Sequence, residues 1–240
     1  MTQGWSEIQF EPLAEDAWIL RFGETIDVDV NARVLAVAAR LQSSLANVEC
    51  APAYASLLLR FDPMCWLDDD GRISDQHLRN AINTALHQAN ISQSTSRQVT
   101  IPVCYGGQAG EDLLDVAAYT KLPPDEVIAR HTRVTYRVAM LGFAPGFPYL
   151  LGLDPALTVP RRSSPRTHVP AGSVAIGGQQ TGIYPQALPG GWQLIGRTPM
   201  RLFNLTSDAP SLLLPGDRVR FLAVDEHEYR RLATETSAEA

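Results

Sequence analysis

Ten of the 17 glycines and nine of the 17 prolines in this 240-residue chain fall in one stretch of 58 residues, Gly142 to Pro199. Proline fixes its own φ and lacks a backbone donor, and glycine weakens helices, so no long helix can form there. Such composition also occurs in disordered segments. Here, however, Phe143, Phe147, Tyr149, Ile176, Ile183, Tyr184, Trp192 and Ile195 are interleaved with the breakers. Short strands joined by glycine- and proline-defined turns, closing into a barrel or a sandwich, reconcile the two patterns. Ser173-Val-Ala-Ile176, Gln193-Leu-Ile195, Arg201-Leu-Phe203 and Arg218 to Val224 read as strands of that body, and Pro189-Gly-Gly-Trp192 as a tight turn presenting Trp192.

Upstream, the pattern alternates strands with helices. Ala17-Trp-Ile-Leu-Arg-Phe22 and Ser56-Leu-Leu-Leu-Arg-Phe61 are strand-like, the second ended by Asp62-Pro63. Asp29 to Ala46 places Val30, Val34, Val37, Ala38, Leu41 and Leu45 on one helical face. Ser74 can cap a second helix carrying Leu78, Ile82, Leu86 and Ala89. These elements predict helices on one face of an antiparallel sheet. The polar run Ser92-Gln-Ser-Thr-Ser-Arg97 reads as a linker, giving a small α+β domain at 1–91 and a mainly-β domain at 98–225. The second opens on a strand, Val99 to Cys104, followed by short helices over Glu111 to Tyr119 and Pro124 to His131, then a strand from Val134 to Leu141.

Several function classes are excluded or disfavoured. With 20 basic against 26 acidic residues, net −6, and no basic run, the chain is not built for nucleic acid. Lys121 is the sole lysine, beside Pro123 and Pro124, so there is no candidate for a Schiff base or a nucleotide-loop lysine. Cys50, Cys65 and Cys104 form no C-x-x-C pair, and an odd count fits a reducing, cytoplasmic setting. The five histidines do not fall at zinc spacing, so no metal is expected. No apolar run approaches membrane-span length and no signal peptide is evident, so no membrane association is expected.

The Gly/Pro-rich segment has its own charge pattern. Its only acid is Asp154, against Arg161, Arg162, Arg166 and Arg197, a local net of +3. Guanidinium forks match carboxylates and phosphates, and glycine-rich backbone at Gly172, Gly177 and Gly178 can add N–H donors. The segment therefore either cradles a small anion or an oxyanion, or its arginines pair with acids elsewhere in the chain or in a partner. Ser173 lies among glycines, but not at nucleophile-elbow spacing. His131 reads as a helix-end cation or a base. His131, Tyr136 and Ser173 form the candidate catalytic set. Phe143, Pro145, Gly146, Phe147, Tyr149, Tyr184, Gly191 and Trp192 are either barrel core or the wall of a pocket or interface.

The motif run resembles a known family. Ile101-Pro-Val-Cys-Tyr-Gly-Gly107, Glu111-Asp-Leu113, Val127-Ile-Ala-Arg-His131, Tyr136-Arg-Val138 and above all Leu141-Gly-Phe-Ala-Pro-Gly-Phe-Pro-Tyr-Leu150 are similar to the allophanate hydrolase subunit 1 / Kip-type inhibitor family. Val169 to Gly178, Thr181 to Pro185, Pro189 to Trp192, Ile195 to Pro199 and Leu214-Pro-Gly-Asp217 continue in the family's order. The resemblance covers about residues 98–222 and implies a cyclophilin-like β-barrel for that part. It implies the B subunit of an ATP-dependent 5-oxoprolinase, working with a related-barrel C subunit and an A subunit to open a small anionic lactam to glutamate. ATP would then be handled largely by the partners, with Arg161, Arg162, Arg166 and Arg197 as the carboxylate clamp. The same resemblance admits a sensor-histidine-kinase inhibitor, or the carboxyltransferase half of a urea-carboxylase-like system.

Overall fold

A computed structural model describes residues 8–67, 70, 74–87 and 97–238. The chain divides into two compact units, Met1–Thr95 and Ser96–Ala240. Residues 92–96 of the expected linker, and Ala89 of the second expected helix face, lie outside the described residues.

In the first unit, β1 (Gln9–Ala14), β2 (Ala17–Arg21), α1 (Val28–Ser44), β3 (Val48–Pro52), β4 (Ser56–Phe61) and α2 (Asp75–His87) follow one another. The sheet has the order β1-β2-β4-β3 and every neighbouring pair is antiparallel. Asp27 starts α1: its carboxylate accepts the amide hydrogens of Asp29 and Val30, which the first helical turn leaves free. Val34, Val37, Ala38 and Leu41 then face Leu57, Leu59 and Phe61 of β4 in one core with Leu78 and Ile82 of α2. Ser74 caps α2, its hydroxyl accepting from the His77 amide at 3.2 Å. Asp62-Pro63 does more than end β4, because the Asp62 side chain also initiates a 3-10 turn over Pro63–Trp66.

The second unit runs β5 (Gln98–Tyr105), α3 (Leu113–Thr120), α4 (Pro124–Arg133), β6 (Tyr136–Leu141), β7 (Pro148–Leu151), β8 (Arg166–Val169), β9 (Ser173–Gly177), β10 (Gln180–Ile183), β11 (Leu188–Gly190), β12 (Gln193–Arg197), β13 (Arg218–Val224) and α5 (Glu226–Ala238). Seven strands close into a barrel in the order β10-β7-β6-β13-β5-β12-β9. The pair of β5 with β13 is parallel; the other pairs are antiparallel. The fold class read from the sequence, an α+β unit followed by a mainly-β barrel, is the one observed.

Alternation decides what fills the barrel. Val174 and Ile176 of β9 point inward with Ile101, Val103, Val138, Leu150, Ile183, Ile195, Val219 and Phe221. Ala175, between them, points outward into a second core with Phe147, Val169, Tyr184, Trp192 and Leu194. The β8–β11 ribbon contributes Val169 to that second core, and Leu188 packs against it. All five residues of β9 are consequently buried, on both faces of the wall.

Some elements escape a periodicity reading. β1, β3, β7, β8, β10 and β11 are three to six residues long, too short or too proline-interrupted to show alternation. Arg201-Leu-Phe203 is not a strand: Phe203 makes only an isolated bridge with Ser211, and the Arg201 Nε–H bonds the Phe203 carbonyl, curling the segment on itself. Pro189 and Gly190 lie in β11 rather than in a presenting turn, and Trp192 is buried.

The approach to α3 depends on one close backbone contact. A Cβ on Gly110 would lie 2.1 Å from the Ile195 carbonyl oxygen of β12. Gly110→Ala is therefore expected to destabilise the barrel unit by roughly 2–4 kcal/mol, seen as a lowered denaturant midpoint at unchanged m-value.

Candidate functional site

The anion-clamp reading meets its test at Asp112. This residue immediately precedes α3 and is 2% exposed. Its Oδ1 accepts from Arg162 Nη1 at 3.0 Å and Arg166 Nη2 at 2.8 Å, and its Oδ2 accepts from Arg166 Nη1 at 2.9 Å and the Leu194 amide at 2.7 Å. Four donors saturate one carboxylate, and the Arg166–Asp112 pair is bidentate. The hydrogen bond and charge of Asp112, with Glu111 beside it, hold the Arg166 guanidinium more firmly protonated than usual. Arg162 and Arg166 are thus ion-paired within the chain and are not open clamp groups. Asp154, the segment's only acid, reaches outward instead, to Arg130 Nη1 at 3.2 Å and Arg133 Nη2 at 2.9 Å. Arg161 is exposed, with its Cζ 5.8 Å from the Trp192 ring, and has no carboxylate partner among the described residues. Arg197 is partly buried and likewise has none.

His131 and Tyr136 belong to the barrel interior. Tyr105 O–H lies 2.8 Å from His131 Nδ1, and His131 Nε2 lies 3.0 Å from Thr181 Oγ1. The Thr181 hydroxyl donates to the Ala175 carbonyl at 2.9 Å, so it must accept from Nε2–H. Nδ1 is then the bare nitrogen and accepts from Tyr105, which fixes the tautomer. The imidazole stacks on Phe221 at 4.6 Å and is completely buried. Burial pushes its pKa down to about 3. The helix-end cation expected from its position is therefore absent, since the ring is neutral and inward. Tyr136, also fully buried, donates to the His131 carbonyl at 2.8 Å, and burial first, then the Asp154 charge, raises its pKa far beyond the phenolic range. Neither group reaches a surface where substrate could meet it, so both are corrected from catalytic candidates to parts of the core.

The backbone donors are also occupied. Gly172 N–H bonds the Tyr184 carbonyl at 2.7 Å and Gly178 N–H bonds the Val159 carbonyl at 2.7 Å. Gly177 pairs with Gln180 in the β9–β10 hairpin, and its missing Cβ is what admits the Trp192 indole, which a Cβ would approach to 2.7 Å. Gly172 and Gly177 pack the wall, and Gly178 turns the β9–β10 hairpin at φ +66°. Ser173 is fully buried, and its Oγ has no partner among the described residues.

The aromatic set divides. Phe147, Tyr184 and Trp192 are buried, meeting edge-to-face at 5.2 and 5.8 Å about Phe147. Gly146 is buried against Phe203, and Gly191 accepts from the Arg162 amide at 2.7 Å. Tyr149 is half-buried, burial raising its pKa against the pull of the Arg161 charge. Phe143 and Pro145 remain exposed, and Phe143 holds φ +67° in the β6–β7 turn. None of these residues lines the open cleft of about 300 Å³ between Met200, Arg201, Asn204, Pro210, Leu212 and Thr236. Among the described residues no group of His, Cys, Asp and Glu is arranged to hold a metal, and no helix is long and apolar enough to cross a membrane. Asp112, Tyr105 and Thr181 were not singled out in the sequence as site residues. The only trace of the first was an acidic pair, Glu111-Asp112, ahead of a helix.

The match to known proteins starts well before the barrel. Residues 8–213 match the family described as carboxyltransferase domain, subdomain C and D. The chain belongs to that family. The first unit is thereby included, where the resemblance had been specific over 98–222 and had matched the first unit only in outline, through Ser56-Leu-Leu-Leu and Asp62-Pro63. Among relatives of this carboxyltransferase-domain chain, the 5-oxoprolinase B subunit of Bacillus subtilis (strain 168) is 42% identical over 95% of this chain and 98% of that protein. The 5-oxoprolinase B subunit of Escherichia coli O157:H7 is 56% identical over 55% of this chain and 60% of that protein. The crystal structure of TTHA0988 superposes with a TM-score of 0.74 at 40% identity, covering 88% of this chain but 40% of that one.

Two outcomes are expected for this carboxyltransferase-domain chain. Asp112→Asn leaves Arg162 and Arg166 without their shared anion and should cost about 3–5 kcal/mol, read by urea unfolding; Arg162→Met, removing the partly exposed partner, should cost clearly less. Unfolded histidine titrates near 6.5 and folded His131 near 3, so the unfolded state binds the extra proton between those values. Stability should fall as pH drops through that window, by up to about 1.4 kcal/mol per pH unit. His131→Gln should flatten that part of the profile relative to wild type.

Proposed function

We propose that this chain is the B subunit of an ATP-dependent 5-oxoprolinase, a cytoplasmic hydrolase complex that opens 5-oxoproline to L-glutamate together with A and C subunits. Near end-to-end likeness to a protein named as the B subunit of 5-oxoprolinase carries the assignment. The chemistry of the wall is compatible with it. The substrate is a small anion with a cyclic amide, needing a cation for its carboxylate and a donor for its carbonyl. Arg161 and Arg197 are the cations of the segment without an acid of their own among the described residues. The interior is filled by packed side chains, apolar apart from the hydrogen-bonded His131, Tyr136 and Thr181, which leaves the outer rim as the place for substrate. No nucleotide-binding motif is present in the sequence, in keeping with ATP being turned over on the partners, and the isolated chain should be inactive. Three free cysteines accord with a reducing compartment.

Reconstitution with the cognate A and C subunits should give ATP-dependent release of glutamate from 5-oxoproline. Omitting this chain should reduce turnover to background, and equal turnover without it would overturn the assignment.

A further inference from the structure

Two buried polar atoms without a hydrogen-bond partner among the described residues belong to residues paired across two strands of the barrel wall. Ser173 opens β9 and Arg197 closes β12, and the two are directly opposite in the antiparallel register. Opposite residues carry their Cβ atoms about 5 Å apart on the same face of the sheet. Ser173 is fully buried, and neither its Oγ nor the buried Nε–H of Arg197 has a hydrogen-bond partner among the described residues. An unmatched buried polar group is destabilising, so a pair of them calls for an occupant.

The surroundings are shaped for close approach. Gly172 holds φ +79°, and a Cβ there would lie 2.3 Å from the Thr198 carbonyl oxygen and 3.3 Å from Arg197 Cγ. The Thr198 amide bonds the Gly172 carbonyl at 2.9 Å, clasping the two chain segments together. The Tyr184 amide bonds the Ser173 carbonyl at 2.9 Å, and the Tyr184 ring meets the exposed Phe143 edge-on at 6.4 Å.

Charge identifies the occupant. Arg162 also has an unbonded Nε–H, but its guanidinium is neutralised by Asp112. Arg197 has no carboxylate among the described residues. Its neighbour across β5, Cys104, has its thiol pKa raised by burial and by Glu226 and Asp225, so it supplies no anion at neutral pH. A guanidinium N–H can only donate, a serine hydroxyl can donate as well as accept, and a carboxylate satisfies both donors and the positive charge. Water would satisfy the hydrogen bonds but not the charge.

We propose that Ser173 and Arg197 form a binding subsite for a small carboxylate, entered from the partly exposed Arg197 side, with Ser173 as its buried donor. This deepens the proposed function, on which it rests for the choice of the lactam acid as ligand: the carboxylate of 5-oxoproline would seat here. The test uses the isolated full chain and no turnover. The Arg197 Nε–Hε NMR resonance, assigned by its loss in Arg197→Gln, is followed during titration with 5-oxoproline, acetate, the neutral lactam 2-pyrrolidinone and sodium chloride. A saturable shift with both carboxylates, absent with 2-pyrrolidinone and chloride, is expected. Ser173→Ala should weaken it about tenfold, and Arg197→Lys, which keeps charge but loses the fork, should fall between wild type and Arg197→Gln. No saturable shift, an equal response to chloride or 2-pyrrolidinone, or a persistent contact to water that carboxylate leaves unchanged would overturn the subsite. Acetate binding without 5-oxoproline binding would overturn the seating of the lactam acid. None of these results depends on whether the assembled complex turns over 5-oxoproline.

Discussion

The barrel unit depends on one saturated carboxylate. Asp112 stands at the entry to α3, and its oxygens hold Arg162, the first residue of the β8 strand and the backbone of β12. Its amide donates in turn to the Leu194 carbonyl at 2.9 Å. Segments 50 and more residues apart are thereby fixed to one point. A buried pair of this kind is weak evidence for net stability, because desolvation opposes attraction. What it contributes is position: the β8–β11 ribbon can lie over β9 and β12 in one register, since any other leaves a buried charge unmatched.

The interior follows from that closure. Once the ribbon covers the outer face of β9, both faces of the wall are dry, and groups caught there must be neutral or paired. His131 illustrates the consequence. Bracketed by Tyr105 and Thr181 and stacked on Phe221, it forms an uncharged hydrogen-bond chain that pins α4 to β5 and β10. The rim is where Arg161, Arg197, Phe143 and Tyr149 retain exposure.

Much of the architecture was legible in local pattern. The helix faces of α1 and α2, the cap at Ser74, the strands β2, β4, β5, β9 and β13, and the barrel implied by alternating breakers and aromatics all rest on residues within a few positions of each other. The candidate site was far less legible. The local charge excess of Arg161, Arg162, Arg166 and Arg197 is real, but the acid that balances Arg162 and Arg166 is Asp112, thirty residues ahead of the Gly/Pro-rich segment. Trp192 beside two glycines read as displayed, whereas the glycines clear space for packed rings. Tyr136 and His131, close in sequence and chemically versatile, carry the same letters whether they face substrate or core.

By itself the sequence determined the fold class, two units, and a cation-rich wall, because hydrophobic period, turn chemistry and net charge are properties of neighbouring residues. Only the tertiary structure decided which of those cations are neutralised, which rings are buried, and that Ser173 and Arg197 are paired across two strands with Oγ and Nε unbonded among the described residues. Pairings across 24 to 54 residues depend on strand register and barrel closure, and no local pattern encodes where a distant carboxylate will land.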